Sequence, residues 1–493
     1  MIIARDDSIV IVGAGPTGLV LAGELALAGV RCLVLDRRDA PRSDSRAICL
    51  HARSMEMLDL RGQAEVFAGA GLPVPSFPLG PKGTMIRFGV LDCDFPYLLD
   101  MPQSQIELLL AVRALDLGAE IRWASRVTGI EQDGTGVSVT TGDGTVTRAA
   151  YAVGCDGVHS FVRNAIGMPF PGFPNPGSVI LADLHLDGLP MTSAYGDLSK
   201  DGMLLMFPFR NGSCRVVLYD YARADAAVTE PVTIEEVRAA LLRITGHDFG
   251  PRDMYRAARY RSESRQAPRY RSGRILLAGD AAHAHSPAGA QGLNTGLQDA
   301  MNLGWKLGAV MSGWAPGWLL DSYHHERHPV GRAVLALTGR QFRLNTARTL
   351  GRRALRWAVH RLVVPLPPVQ ARLARDYSGV SISYPQADAS AHPMAGKRLP
   401  RGMVRLPGGS AVRLYELFRD GRFVLLGPSG GSPPRDLPGH VKVVTYAQGS
   451  PPMLPAEVLV RPDGYVAWAS DERDQAARDA AVGAAVAAWC GPG

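Results

Sequence analysis

Residues 8–36 read SIVIVGAGPTGLVLAGELALAGVRCLVLD. Ser8–Val12 is a β-branched run that predicts a buried strand, and it stops at Gly13-Ala14-Gly15-Pro16-Thr17-Gly18. Apolar residues then recur nearly all round a helical stretch, Gly29 ends it, and a second buried strand runs to Asp36. Each glycine has a task in such a unit. Gly13 makes the tight turn, Gly15 lets the backbone approach a pyrophosphate, and Gly18 lets helix and strand pack closely. Phosphates then sit at the helix N-terminus, where unpaired N–H groups and the helix dipole favour anions. Asp36, 23 residues after Gly13, is placed to accept hydrogen bonds from a ribose and disfavours a 2′-phosphate. The stretch reads as strand, nucleotide-binding turn, helix and strand.

This loop alone does not choose between NAD and FAD, but two later segments do. Residues 152–163, AVGCDGVHSFVR, put a strand end before Asp156-Gly157 and a helix start at Ser160 and Arg163. Residues 274–280, RILLAGD, form another buried strand ending at Gly279-Asp280, and AAHAHSPAGAQGLNTGLQDAMN (281–302) follows directly. A nicotinamide site needs one Rossmann unit, whereas a long flavin dinucleotide lying across a sheet is gripped at both ends. The second glycine-rich segment is therefore expected to be the far wall of one FAD site. Asp280 reads as a ribose ligand, with simple capping of the next helix as the alternative. His283 and His285 read as packing or wall groups; ligand or base roles stay open, with no third ligand nearby.

With 493 residues, two or three domains are expected, since single cores stop growing near ~250–300 residues. No apolar run reaches the ~18 residues needed to cross a bilayer, and the N-terminus has no secretory pattern. The six cysteines are scattered without CxxC, which argues for a reducing, cytoplasmic setting and against a metal site or disulfide scaffold. The net charge of +7 has a local source between Arg340 and Arg375. With no nucleic-acid module beside it, that run reads as a solvated face, so neither nucleic acid nor membrane is expected as a partner.

Along the chain, an FAD-binding domain is expected from discontinuous pieces, 1–72, 105–167 and 273–390. Residues 168–272, with 73–104, predict an inserted antiparallel-sheet domain that covers a substrate on one face. Within it TIEEVRAALLRITG (233–246) has a capping-box start and a glycine stop. After a Pro- and Gly-rich stretch, 391–493 predicts a small α/β unit.

With these segments in hand, the chain resembles the class A flavoprotein monooxygenases, the para-hydroxybenzoate hydroxylase-like group, and within it the bacterial hydroxylases of aromatic polyketides and of rifampicin. The resemblance rests jointly on GAGPTG, the CDG segment with Arg163 and GDAAHAHSPAGAQGLNTGLQDAMNLGWKL, and covers nearly the whole chain. It implies an α/β architecture: a Rossmann-like FAD-binding domain, an inserted antiparallel-sheet substrate domain and a C-terminal thioredoxin-like domain. It also implies residue roles: Gly13, Ala14, Gly15, Pro16, Thr17, Gly18 and Val127 on the dinucleotide, Asp36 and Arg37 on its adenosine half, Arg46 near the pyrophosphate and Gln103 on the flavin side. Asp280 is implied for the ribityl–pyrophosphate portion, Pro287, Gly292, Leu293 and Asn294 for the isoalloxazine ring, and Asp156 and Arg163 for a segment shared by FAD and NAD(P)H. Arg46 and Gln103 carry no signal of their own apart from the resemblance. Three positions depart from it: Ala290 where a second glycine is common, Asp36 for Glu, and Cys155 for Ala.

The implied reaction reduces FAD with NADPH or NADH, captures O₂ as a flavin C4a-hydroperoxide and hydroxylates a phenolic polycyclic aromatic in secondary metabolism. A NAD(P)H site is expected at a basic surface groove near Arg46 and Arg163. No catalytic base is identified; Pro287, His285, Tyr219, Arg210 and His185 are the candidates. A Baeyer–Villiger oxygenase, a detoxifying hydroxylase of an aromatic antibiotic, a plain dehydrogenase and a non-catalytic flavin scaffold are the alternatives. A monomer or homodimer is expected.

Overall fold

The computed structural model describes residues 2–42, 47–187, 193–346, 349–386, 390–429, 437–447 and 454–491. The opening unit forms as expected, with strand Ile2–Val12, helix Pro16–Leu27 and strand Arg31–Leu35. Ile9, Val10 and Ile11 are completely buried, as a parallel strand covered on both faces requires. From Arg31–Leu35 the chain makes a long excursion and returns through helix Gln103–Asp116 to the parallel strand Glu120–Arg122. It then crosses to the other side of the opening strand. Val146–Gly154 pairs with Ile2–Val12 in parallel, and Ile275–Leu277 pairs with Val146–Gly154 in parallel. The order of winding thus reverses at Ile2–Val12, and a crevice opens at the carboxyl ends of the strands there, the usual ligand position in doubly wound sheets.

Helix Gln291–Met311 lies along helix Pro16–Leu27. A side chain at Gly308 would press on Ala28 Cβ at 2.8 Å, and one at Gly304 on Glu24 Cβ at 2.5 Å, so small residues set this close approach. Glu24 is itself buried and ion-paired with Arg61 at 2.6 Å.

The inserted sheet has five antiparallel strands in the order Tyr195–Leu198, Gly202–Pro208, Cys214–Asp220, Val179–Leu186, Pro251–Tyr260. Its alternation is clean. Ile180, Leu184, Leu204, Val216 and Leu218 face helix Ile234–Thr245, whose start is capped by Thr233 and whose end is Gly246 in the left-handed region. The opposite face, with Leu181, Met203, Leu205, Phe207, Val217 and Tyr219, packs with Phe77, Phe88, Phe342 and Tyr377. A small sheet of Gly172–Pro174, Glu263–Gln266 and His283–Ala284 joins this region to the segment after Ile275–Leu277.

The C-terminal unit has a mixed four-stranded sheet, Val441–Tyr446, Phe423–Pro428, Glu457–Val460 and Val466–Ser470, covered by helix Gln475–Cys490. Its Arg461 turn is buried against the rest of the chain, pairing with Glu326 at 2.7 Å, which also accepts from Lys306 at 2.8 Å. Cys490 is buried and its thiol is pushed up to about 12 by burial, the opposite of a redox cysteine.

Candidate active site

Three glycine turns end adjacent parallel strands, and their contacts explain the sequence. Gly13 adopts φ +108°, and a side chain there would strike the Cys155 carbonyl oxygen at 2.5 Å, so the first turn abuts the CDG segment. A side chain at Gly18 would collide with the Gly13 carbonyl. Thr17 Oγ1 sits 2.6 Å from where a Gly279 side chain would begin and also blocks one at Gly296. The first loop, the GDA turn and the helix after it are therefore in direct contact, although some 260 residues separate them in sequence. Gly15 differs from its neighbours: it has φ −79° and an added Cβ would meet nothing within 4 Å. The protein leaves a cradle there that its own packing does not need.

At one end of the crevice Asp36 is buried and accepts from Ala14 N–H at 2.7 Å and from Arg38 Nε at 2.9 Å. Burial works to raise its carboxyl, but the Arg38 and Ala14 hydrogen bonds outweigh it and hold the group below the ordinary carboxylate range. Arg38 also reaches Glu107 at 3.1 Å, and Gln103 donates to Glu107 at 2.7 Å while accepting from Ala47 N–H at 2.9 Å. Asp36 and Gln103, named separately from sequence, are thus ends of one polar chain. Its middle members, Arg38 and Glu107, were missed. The faint signals were an arginine two residues past the acidic strand end and the i, i+4 spacing of Gln103 and Glu107.

At the other end Asp280 is exposed at the tip of the GDA turn, with Oδ1 3.8 Å from the position of a Gly292 side chain. His285 lines the same spot, and its Nε2 is buried without a hydrogen-bond partner among the described residues. Burial and the neighbouring His283 lower its pKa to about 4, so it is neutral at pH 7. Behind this wall Asp299 accepts from His283 Nε2 at 2.6 Å, Arg327 Nε at 2.7 Å and Gly279 N–H at 3.1 Å, all fully buried. His283 is therefore a structural member of this network. Burial opposes the Asp299 charge, yet His283 and Arg327 keep its pKa low. The helix that follows is entered through Gly289 at φ 80° and Ala290 at φ 52°, both left-handed.

Several expected roles change. Arg163 is 4% exposed; it donates to the carbonyls of Ala281 at 3.2 Å and Val158 at 3.0 Å and lies over Phe170, so it does not line a surface groove. Asp156 accepts from Ser160 at 2.5 Å and Val162 N–H at 3.1 Å, which closes its own turn. The Asn294 side chain is spent on the backbone of Cys49, Ala290 and His51 and on Ser54, leaving only its backbone for a ring. Tyr219 donates to the Pro176 carbonyl at 2.8 Å, and exposed Arg210 to the Gly69 carbonyl; neither is poised as a base. His185 lies on the inserted sheet, 3.9 Å from Asp253. Arg37 is exposed beside Asp36, while Val127 is buried just past Ser125, whose N–H bonds the Asp36 carbonyl at 2.7 Å. Pro287 and Leu293 are half-buried in the entry to the long helix. Arg46 lies outside the described residues.

His51 also belongs to this wall, although nothing in its local pattern marks it. It is buried, its Nε2 lies 3.0 Å from the Gly289 carbonyl, and burial lowers its pKa to about 4.

A switch-point crevice with three converging glycine turns, an anionic strand-end aspartate and helix N-termini at its rim defines a dinucleotide-binding flavoprotein. Comparison with known proteins sharpens the class: residues 6–338 match the FAD binding domain family and 392–493 the family described as aromatic-ring hydroxylase, C-terminal. A rifampicin monooxygenase of Streptomyces venezuelae is 39% identical, covering 95% of this chain and 96% of its own. The dialkyldecalin synthase of Streptomyces rugosporus is 37% identical over 99% of both chains. The structure of the anhydrotetracycline hydroxylase OxyS from Streptomyces rimosus superposes with a TM-score of 0.84 at 39% identity, covering 99% of this chain and 100% of that one. This chain belongs to the FAD-binding aromatic-ring hydroxylase family and is a flavin-dependent monooxygenase.

Proposed function

We propose that the protein consumes NAD(P)H and O₂ to hydroxylate a phenolic, polycyclic polyketide-type aromatic. The observation that carries this reading is the whole-chain likeness to the anhydrotetracycline hydroxylase, beside an aromatic-rich core packed between the inserted sheet and the flavin-wall loop. Phe77, Phe88, Phe207, Tyr219, Phe342 and Tyr377 belong to that core, and Ala290 of the flavin-wall loop packs against it. A side chain at Gly289 would touch the Tyr377 ring at 2.7 Å, so the loop packs between the dinucleotide crevice and this aromatic core.

Bound FAD would supply the redox chemistry, taking electrons from the nicotinamide and activating oxygen for transfer. The protein's share is positioning. Asp36, held by Arg38, would meet the ribose end of the cofactor, Gly15 would admit the pyrophosphate, and Asp280 would hold the chain linking it to the ring. The first N–H groups of helix Gln291–Met311 would favour negative charge on a ring bound beside them. Neutral His285 places no charge on this wall, and the buried pairing of Asp299 with His283, Arg327 and the Gly279 N–H fixes the GDA turn from behind.

The test is NADPH and NADH oxidation with a panel of polycyclic phenols, following oxygen uptake, peroxide and product mass. Substrate-stimulated oxidation with a product one oxygen atom heavier supports the reading. The similarity to dialkyldecalin synthase favours a second reading, ring formation on the same apolar face without oxygen consumption. A conversion with unchanged product mass and no NAD(P)H oxidation would select it.

A further inference from the structure

Between Arg327 and Arg375 the sequence holds eleven arginines and no acidic residue, so the remaining chain carries −4 of the overall +7. Charge alone reads as a solvated face. The structure adds what the charge pattern lacked. Helix Leu350–Ala358 and the turns after it are held from one side only: Arg356 donates to the Asn345 carbonyl at 2.9 Å, His360 Nε2 lies 3.3 Å from Asn345 Oδ1, and Val364 is buried in the aromatic cluster. The other side is bare and apolar. Leu350 is 82% exposed, Leu355 58%, Trp357 60% and Leu362 60%, with Leu366 beyond them. Arg352, Arg353 and Arg361 stand exposed among them.

We propose that this face docks the enzyme peripherally on an anionic lipid surface. Leucines and a tryptophan entering the headgroup boundary, flanked by arginines that reach phosphates, are the composition of an interfacial helix. A contiguous apolar patch of this kind is otherwise a liability in a protein in water. Charge complementarity selects the occupant: a second copy of the chain would bring this acid-free face against another of the same sign, whereas anionic lipid brings the missing charge. Nothing in the arrangement spans a bilayer, and no helix among the described residues is long and apolar enough to do so.

The test is co-sedimentation of the FAD-loaded protein with phosphatidylcholine vesicles and with vesicles of phosphatidylcholine and phosphatidylglycerol, at low and high salt. Binding is expected only with phosphatidylglycerol and is expected to weaken with salt. Reversing three charges in R352E/R353E/R361E should lower partitioning about 100-fold or more, and Trp357→Ala should lower it about 10-fold, with flavin content unchanged in both. No binding to the anionic vesicles at low salt, or binding that the triple variant retains, overturns the proposal. So does a wild-type dimer in solution that Trp357→Ala dissociates, which would assign the face to a second copy.

Discussion

Gly15 and Gly18 stand three residues apart in one motif, yet the structure gives them different reasons to be glycine. At Gly18 a Cβ collides with the Gly13 carbonyl oxygen, a backbone atom that moves only with the turn itself. Gly18→Ala should therefore cost about 3 kcal/mol or more and lower the unfolding midpoint of the flavin-free protein. At Gly15 the backbone is ordinary and the space beyond is open. Alanine there loses a little as an N-cap and gains a little by restricting the unfolded chain, two terms of about 0.5–1 kcal/mol that oppose each other. The flavin-free Gly15→Ala protein should thus unfold within about 0.5 kcal/mol of the parent. Its methyl would instead meet the pyrophosphate and cost one or two charge-assisted hydrogen bonds, about 2–3 kcal/mol, or roughly 30- to 150-fold in FAD affinity. Thermal unfolding of the flavin-free proteins and titration of flavin fluorescence quenching measure the two quantities separately. A Gly15→Ala protein that binds FAD as tightly as the parent would refute the placement of the phosphates.

Ala290→Gly relieves a non-glycine residue held at φ 52°, ψ 39°, and should stabilise the protein by about 1 kcal/mol in thermal unfolding while shifting peroxide release per NADPH oxidised. Asp299→Asn leaves Arg327, which is completely buried, without its carboxylate, and a loss of about 3–5 kcal/mol is expected; an unchanged unfolding midpoint would remove the network from the account. His51 and His285 have folded pKa values near 4, below the unfolded value of about 6.5, so the unfolded chain binds protons first as pH falls. Their burial costs no stability above about pH 6.5 and progressively more down to pH 4, on the order of 3 kcal/mol each. His285→Gln should flatten the fall of the unfolding midpoint between those pH values, and a slope equal to the parent's would contradict the assignment.

The three glycine turns could be read in sequence because each is a local event: an apolar run, a glycine forced by its own neighbours, and a helix start. Gly13 and Gly18 satisfy contacts within a few residues or with the adjacent strand, so their spacing carries the information. Arg38 and Glu107 could not be read that way. They meet across 69 residues, and only the return of helix Gln103–Asp116 beside the opening strand brings them together. The burial of Arg163 is hidden from the sequence for a related reason: it depends on Phe170 and on the Ala281 carbonyl, neither marked by pattern. Asn294 sits in the motif expected of it, but motif position does not reveal that residues 49–54, a strand end and a helix start, use up its amide. The arginine run was legible as charge, while the apolar side chains left bare beside it became evident only once the inner face was seen to be held by Asn345.

The most direct measurement of the whole account is amide hydrogen exchange of the flavin-free protein during titration with FAD. Residues 13–18 and residues 279–296 should gain protection together, at the same FAD concentration and to full occupancy, because they close on the two halves of one molecule. Protection confined to 13–18, with 279–296 exchanging as before, would contradict it.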